Sequence, residues 1–317
     1  MEGGGEDSPK FDPADNTFTV WGGLKGSEVI KYDALGFEKL WSVNLEDITT
    51  SAVRDGAVFV GTSQGEQSVM YKLRALDGDI EWKYSAGGEM WGTLGPMVSS
   101  DGKMVCFGAG GDANFMKDCK AQLHCLDAAD GSVKHITALG KQVQSRPAEG
   151  EKVIYVGDYD GCMYAVDKEV GGVKGTYCLE HPHLSIIEGS PSVVRGDIES
   201  VIFDSWDGKI YSLTLSEEGS FALNWSHSIG KAKGYLGMMD GGAASTPFVV
   251  DDVLYVGGPK GVWSLGVENG DVLWFYETGV QCGSSPTAWT GSNGQTRIAI
   301  GCEDGYAYIF EENHIEE

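Results

Sequence analysis

His181 and His183 are the closest pair of imidazole side chains in the sequence, separated only by Pro182. Imidazole is a common zinc ligand, so this pair is the first candidate for metal chemistry. The proline between them breaks regular strand geometry, so the two rings need not converge on one point. No cysteine or acidic residue stands at zinc-finger spacing from the pair. We therefore interpret it as structural.

A second candidate lies at Asp158–Gly161, where two aspartates precede a glycine, as at the start of a calcium-binding loop. Such a loop needs further oxygen ligands at its fifth, seventh and ninth positions. Those positions hold Cys162, Tyr164 and Val166. Because the Asp-Gly step recurs along the chain, the pattern favours a hairpin turn over a calcium site.

Serine side chains beside prolines are the candidates for nucleophilic catalysis. Ser190, Ser245 and Ser285 stand one or two residues before a proline. Their repetition indicates a structural role. The chain has no Gly-x-Ser-x-Gly sequence, and spacing assembles no Ser-His-Asp set. The sequence leaves open whether the protein is an enzyme and favours a non-catalytic role.

The elements that must position these side chains follow an internal repeat. A Ser-Pro-like step opens each unit at intervals of roughly 40–50 residues. A glycine turn and an aromatic strand follow, as in Asp160–Asp167 and Asp207–Leu213, and the unit closes with a second glycine turn and Trp, as in Gly78–Trp82. In the third unit His135 takes the place of this Trp, and in the fourth Tyr177 stands near it. The seven openings are Pro9, Ala52, Pro96, Pro147, Pro191, Pro247 and Pro286.

Units of this length with four short strands are typical of propeller blades, which bury their faces only against neighbouring blades. The sequence therefore predicts an all-β, seven-bladed β-propeller of four-stranded antiparallel blades. The last unit lacks a closing Trp, which favours a three-stranded last blade. We expect a disordered acidic tail at 1–7, a single propeller domain at 8–310 and an acidic tail at 311–317.

The repeat pattern is a Ser-Pro step, V-Y-V-G, D-G-x-x-Y-A-x-D and T/N-G-x-x-x-W, and it resembles the pyrroloquinoline-quinone-like (PQQ-like) repeat. That family includes quinoprotein dehydrogenases and cofactor-free propellers, among them the propeller lipoprotein of the bacterial outer-membrane assembly machine. The resemblance implies a fold rather than an activity, and the cofactor-free branch is the better match. Quinoprotein dehydrogenases typically use adjacent cysteines, and this chain has none. We predict no cofactor, and argue against both PQQ and calcium.

Composition limits the partners. A net charge of −24 argues against nucleic acid and anionic membrane surfaces, which attract basic proteins. We see no signal peptide and no apolar run long enough to insert into a membrane.

The seven cysteines are odd in number and lack C-x-x-C spacing, so we expect reduced thiols in a soluble cytoplasmic protein. A Cys119–Cys125 bridge and a compartment reached through a cleaved presequence stay open.

Two groups of residues are candidates for binding. The residues just before each Ser-Pro step should line one channel mouth: Glu46, Asp47, Trp91, Gln142, Gln144, Arg146, Glu188, Asp240 and Gln281. Two insertions, Gly108–Lys120 and Ser228–Gly242, are loops that favour contacts. Their candidate contact residues are Phe115, Met116, Lys231, Lys233, Tyr235, Leu236, Met238 and Met239.

The favoured hypothesis is a non-catalytic scaffold that binds protein partners within an assembly. A first alternative is a small-ligand-binding or quinone-dependent oxidoreductase propeller that acts at the channel mouth. A second is a glycan-binding propeller that uses Trp91, Trp206 or Trp289. The sequence makes no prediction of oligomeric state.

Overall fold

The computed structural model describes residues 10–22, 28–64, 67–87, 95–110, 121–180, 185–231, 245–291 and 295–311. The regular elements in these ranges are β-strands, and they form seven antiparallel sheets in chain order. Six sheets have four strands and the last has three. This confirms the predicted seven-bladed β-propeller with a three-stranded last blade.

Blade 1 contains β1 (Lys10–Asp12), β2 (Thr17–Gly22), β3 (Glu28–Asp33) and β4 (Lys39–Asn44). Blade 2 contains β5 (Ile48–Arg54), β6 (Ala57–Gln64), β7 (Gln67–Arg74) and β8 (Ile80–Ser85). Blade 3 contains β9 (Met97–Val98), β10 (Met104–Ala109), β11 (Gln122–Asp127) and β12 (Val133–Ala138). Blade 4 contains β13 (Ala148–Glu149), β14 (Val153–Gly157), β15 (Cys162–Asp167) and β16 (Val173–Cys178).

Blade 5 contains β17 (Ser192–Val194), β18 (Ser200–Ser205), β19 (Lys209–Leu215) and β20 (Phe221–Ser228). Blade 6 contains β21 (Phe248–Val250), β22 (Val253–Gly258), β23 (Gly261–Gly266) and β24 (Val272–Glu277). Blade 7 contains β25 (Thr287–Thr290), β26 (Thr296–Gly301) and β27 (Ala307–Glu311). In six of the seven blades the first strand begins directly after the predicted opening proline, and in blade 2 it spans Ala52.

The chain divides into two compact units. Unit 1 comprises Met1–Asp158 and Val166–Val173, and unit 2 comprises Tyr159–Ala165 and Lys174–Glu317. In unit 1, buried side chains of blades 1 and 2 form one apolar cluster, and those of blades 2 and 3 form another. In unit 2, one cluster joins blades 5 and 6 and a smaller one joins blades 6 and 7. The predicted single domain at 8–310 stays a prediction.

The Trp and Gly of the repeat are two halves of one contact between neighbouring blades. Trp41 of blade 1 donates its indole N–H to Ala75 O of blade 2 at 2.9 Å. A Cβ added at Gly78, beside Ala75, would lie 2.9 Å from the Trp41 ring. Gly78 also has a φ of 81°, in the left-handed region that favours glycine. Trp41 therefore packs onto the glycine turn of the next blade.

The same contact recurs along both units. The indole N–H of Trp82 donates to Ala128 O at 3.2 Å, and that of Trp225 donates to Val267 O at 2.8 Å. In blade 3 His135 stands at the Trp position and makes the equivalent contact, since its Nε2 lies 3.1 Å from Lys168 O. The imidazole thus retains the hydrogen bond with a smaller ring.

Blade 4 departs from this pattern, because Tyr177 lies two residues beyond the Trp position and does not occupy it. The third residue of β16, which is the Trp position in β4 and β8, is the buried Gly175. A Cβ there would lie 2.6 Å from Gly219 O and 2.7 Å from Leu215 Cδ1. Blade 5 fills the space that a Trp would occupy, so only glycine fits.

Candidate functional site

In blades 4 and 7 the serine two residues before the opening proline clamps the second strand of its blade. In blade 4, Ser145 Oγ donates to Gly157 O and accepts from Gly157 N, both at 2.9 Å. Ser284 Oγ makes the same pair of bonds with Gly301 in blade 7, at 3.0 and 2.7 Å. These hydroxyls are fully engaged with backbone, which explains why serine recurs there.

In unit 2 the openings of blades 5, 6 and 7 are hydrogen-bonded to one another. Ser190 N donates to Thr246 Oγ1 at 3.2 Å, and Thr246 N donates to Ser285 Oγ at 3.2 Å. Ser245 Oγ donates to Ser284 O at 3.0 Å. The openings therefore lie side by side, and the three candidate nucleophiles Ser190, Ser245 and Ser285 take part in this structural network.

The predicted mouth residues of unit 1 converge only in part. Arg146 and Ser51 both border Gly95, since a Cβ there would lie 3.4 Å from Arg146 Cδ and 3.5 Å from Ser51 O. Gln142 and Gln144 are buried, at 9% and 5% exposure. Glu46 and Asp47 are exposed. Residues from the openings of blades 2, 3 and 4 thus approach each other at Gly95, although Gln142 and Gln144 are covered.

In unit 2 the mouth residue Glu188 belongs to an acidic group that sequence reasoning missed. Its Oε2 accepts the indole N–H of Trp206 at 2.9 Å. Asp204 is 1% exposed, and neither of its carboxylate oxygens has a hydrogen-bond partner among the described residues. Burial, then the charge of Glu188, raise the pKa of Asp204 well above its usual value. This environment favours the protonated form of Asp204 over the carboxylate.

Asp204 occupies a position that is glycine in the neighbouring blades. It is the fifth residue of β18, as Gly157 is of β14 and Gly257 is of β22. Opposite it stands Gly189, where blade 4 has the clamp serine Ser145. A Cβ at Gly189 would lie 2.0 Å from Asp204 Oδ1. Where blade 4 has a Ser–Gly pair, blade 5 thus has a Gly–Asp pair. This difference is visible in the sequence when the repeat units are written one above another.

Several predicted site residues lie outside the described residues. They are Trp91, Phe115, Met116, His181, His183, Lys233, Tyr235, Leu236, Met238, Asp240 and Met239.

Of the candidate residues in the contact loops, Lys231 is described and exposed. It lines a cavity of about 490 Å³ in unit 2 together with Tyr177, Cys178, Glu180, Lys209 and Tyr211. Gln281 is half-buried, and its carbonyl accepts Glu303 N at 2.9 Å.

Within the described ranges, no group of three or more His, Cys, Asp or Glu side chains could hold a metal ion. Asp158, the first residue of the calcium-like sequence, is fully buried and accepts Lys141 N at 3.2 Å. The prediction of no cofactor stays a prediction. No helix in the described part of the chain is long and apolar enough to span a membrane.

Six of the seven cysteines form disulfides, so the expectation of reduced thiols was wrong. The pairs are Cys106–Cys125, Cys162–Cys178 and Cys282–Cys302. Cys125 pairs with Cys106 rather than with Cys119, which lies outside the described residues. Cys106 and Cys125 stand directly opposite each other on β10 and β11, a cross-strand relation that spacing does not reveal.

Antiparallel blades with Trp–Gly contacts between them and serine clamps at their openings define a β-propeller of PQQ-like repeats. Within that class, the chain belongs to the family described as outer membrane protein assembly factor BamB, whose model matches residues 86–281. The resemblance read from the repeat is thereby confirmed.

Individual relatives agree with this assignment. The chain is 28% identical over 221 residues to the outer membrane protein assembly factor BamB of Yersinia pestis, covering 65% of this chain and 52% of that protein. It thus spans about half the length of the curated relative that it matches. The prediction of a cytoplasmic protein was wrong, because this family is named for outer membrane assembly and the paired cysteines remove the argument for a reducing compartment.

Two solved structures share the fold. BamB from Moraxella catarrhalis superposes with a TM-score of 0.69 at 17% identity, covering 98% of this chain and 84% of that one. A europium-containing methanol dehydrogenase superposes with a TM-score of 0.55 at 11% identity, covering 90% and 80%. At these identities the likeness concerns the fold alone.

Proposed function

We propose that this chain is a protein-binding scaffold that acts in the assembly of outer membrane proteins. Family membership over residues 86–281 supports the assembly role, and the name of the Yersinia pestis relative agrees with it. The observation that carries the binding role is an exposed apolar surface on blades 6 and 7.

We define the blade 6–7 surface as Leu273, Phe275, Tyr276, Tyr306 and Ile309. These side chains are 54%, 39%, 47%, 69% and 61% exposed. Tyr276 faces blade 7, since its ring is 5.7 Å from that of Tyr308 and 5.3 Å from that of Phe310. Because side chains alternate along a strand, Leu273 and Phe275 lie on the opposite face of β24, and Ile309 lies on the face of β27 opposite to Tyr308 and Phe310. Exposed aromatic and aliphatic side chains gathered on neighbouring strands are typical of protein-binding surfaces.

The test is complementation of a bacterium that lacks its own BamB, scored by the amount of folded outer membrane protein. We expect the exported chain to restore assembly, and Tyr276→Glu with Tyr306→Glu to abolish restoration. The matched control is Val170→Glu with Ile198→Glu, two turn positions that are 73% and 71% exposed. A folded chain that restores nothing would contradict the assembly role. Full restoration by the tyrosine variant would instead contradict the surface.

The two insertion loops and the channel mouth are further proposed contacts within this function. Lys231 belongs to the second loop, is exposed and lines the unit 2 cavity. Shortening Gly108–Lys120 and Ser228–Gly242 separately should weaken cross-linking to the assembly partners. Unchanged cross-linking after both deletions would remove the loops from the contact surface.

We also propose that the protein folds in an oxidising compartment. Three disulfides join strands or openings within blades 3, 4 and 7, and such bonds persist outside reducing cytoplasm. Mass spectrometry of the protein purified under alkylating conditions should find all three pairs intact. Free thiols at these six positions would contradict the proposal.

A further inference from the structure

The three disulfides differ sharply in their exposure. Cys106 and Cys125 are both fully buried in blade 3. Cys282 is fully buried and Cys302 is half-buried. In blade 4, Cys162 is 8% exposed, whereas Cys178, the last residue of the outer strand β16, is exposed. Among the three pairs, Cys162–Cys178 is therefore the one that includes an exposed cysteine.

Cys178 also lines the unit 2 cavity of about 490 Å³. The exposed Lys209 and Lys231 line the same cavity. Two acids, Glu180 and Asp207, share it, and Asp207 accepts the hydroxyl of Tyr211. A thiolate is an anion, and the two ammonium groups offset the two carboxylates, so an incoming thiolate meets no net negative charge among these four groups.

The same bond holds the one fourth strand whose Trp position is glycine. β16 has Gly175 where β4, β8 and β20 have a buried Trp that hydrogen-bonds to the next blade. The disulfide connects the end of this strand to the start of β15. Opening the bond therefore removes the covalent attachment of the blade edge that lacks the aromatic contact.

We propose that Cys162–Cys178 is a redox-sensitive site that exchanges with a thiol admitted to the unit 2 cavity, whereas the other two disulfides are structural. The co-reactant is a low-molecular-weight thiol or a protein dithiol. The incoming thiolate bonds to Cys178 Sγ, the Cys162–Cys178 bond breaks, and Cys162 leaves as a thiolate that takes up a proton. A second thiolate attacks the first thiol's sulfur and releases Cys178. The protein disulfide gains two electrons, and the two thiols become a disulfide.

The test uses the full folded chain with reduced glutathione as the probe. Samples taken over time are alkylated with one reagent, then denatured, reduced and alkylated with a second, and mapped by mass spectrometry. We expect Cys162 and Cys178 to acquire the first label at least about tenfold faster than Cys106 and Cys125. Equal rates, or earlier opening of Cys106–Cys125, would overturn the proposal. The Cys119 peptide is followed separately.

A charge variant tests the role of the cavity. Lys209→Gln with Lys231→Gln should slow the opening of Cys162–Cys178 by glutathione several-fold, and added salt should reduce the difference. The control is Lys103→Gln, a side chain that is 77% exposed in blade 3 and should leave the rate unchanged. If the disulfide opens at the same rate in the lysine variant and in the parent chain, attack through this cavity is contradicted.

Hydrogen exchange tests the structural consequence without any thiol. Cys162→Ser with Cys178→Ser mimics the reduced form while keeping the polar character of the site. We expect faster amide exchange in β16 and unchanged exchange in β12, which is the corresponding outer strand of blade 3. Equal protection of β16 in the variant and the parent chain would show that the bond does not control this edge.

Discussion

At the scale of single residues, Asp204 is the least expected side chain in the molecule. A buried carboxyl without a partner is costly when ionised, so burial raises its pKa and favours the protonated form. The neighbouring Gly189 leaves the space that the carboxyl occupies. Gly189 therefore compensates for the larger side chain at position 204, so the two positions differ from those of blade 4 together rather than independently.

We predict that Asp204 makes stability decrease as the pH rises. Its pKa is raised in the folded state, so the folded chain retains a proton that the unfolded chain releases near its ordinary value of about 3.9. The contribution is fully present below that pH and is lost as the pH rises through the folded pKa. Urea unfolding over a pH series should show Asp204→Asn flattening this decline, and Glu188→Gln lessening it. Parallel profiles for all three proteins would contradict the prediction.

The paired substitution gives a second prediction at this site. Gly189→Ser alone should destabilise the fold by about 1–3 kcal/mol, because its Cβ meets the Asp204 carboxyl. Gly189→Ser with Asp204→Gly recreates the Ser–Gly clamp of blade 4 and should recover most of that loss. The coupling energy from a double-mutant cycle measures this recovery. Additive losses would show that the two positions are independent.

At the scale of elements, the contact between blades rests on a glycine that meets an aromatic ring. Gly78 and Gly56 both belong to blade 2 turns and have φ values of 81° and 75°. A Cβ at Gly78 meets Trp41 at 2.9 Å, whereas a Cβ at Gly56 has nothing within 4 Å. The two glycines thus share the backbone conformation and differ only in the contact.

We predict that Gly78→Ala costs more stability than Gly56→Ala. Both should lose about 1–2 kcal/mol from the left-handed backbone, and Gly78→Ala should lose about 1–3 kcal/mol more from displacement of Trp41. Urea unfolding measures both values. Similar losses would mean that the Trp–Gly contact adds little to blade packing.

The repeat was readable from sequence because glycine turns, Ser-Pro steps and Trp each have a local cause. The end of blade 4 could not be predicted in this way, because Gly175 is required by its contacts with Leu215 and Gly219 of the next blade. The sequence offered only Tyr177 as the nearest aromatic residue. The disulfides were missed for a related reason. Cys106 and Cys125 are 19 residues apart, and only the register of β10 against β11 places them opposite each other.

At the scale of the whole molecule, the question is whether the two compact units unfold together. The repeat predicts one domain at 8–310, because a blade buries its faces only against its neighbours. The boundary between the units falls within blade 4, since β14 belongs to unit 1 and Cys162–Ala165 of β15 belongs to unit 2.

We therefore predict a single cooperative thermal transition. Calorimetry should give a calorimetric enthalpy equal to the van't Hoff enthalpy. Gly78→Ala, a change in unit 1, should then lower the midpoint for unit 2 as well, as monitored by hydrogen exchange in β18 and β22. Two resolved transitions, or a shift confined to unit 1, would establish the units as separate domains.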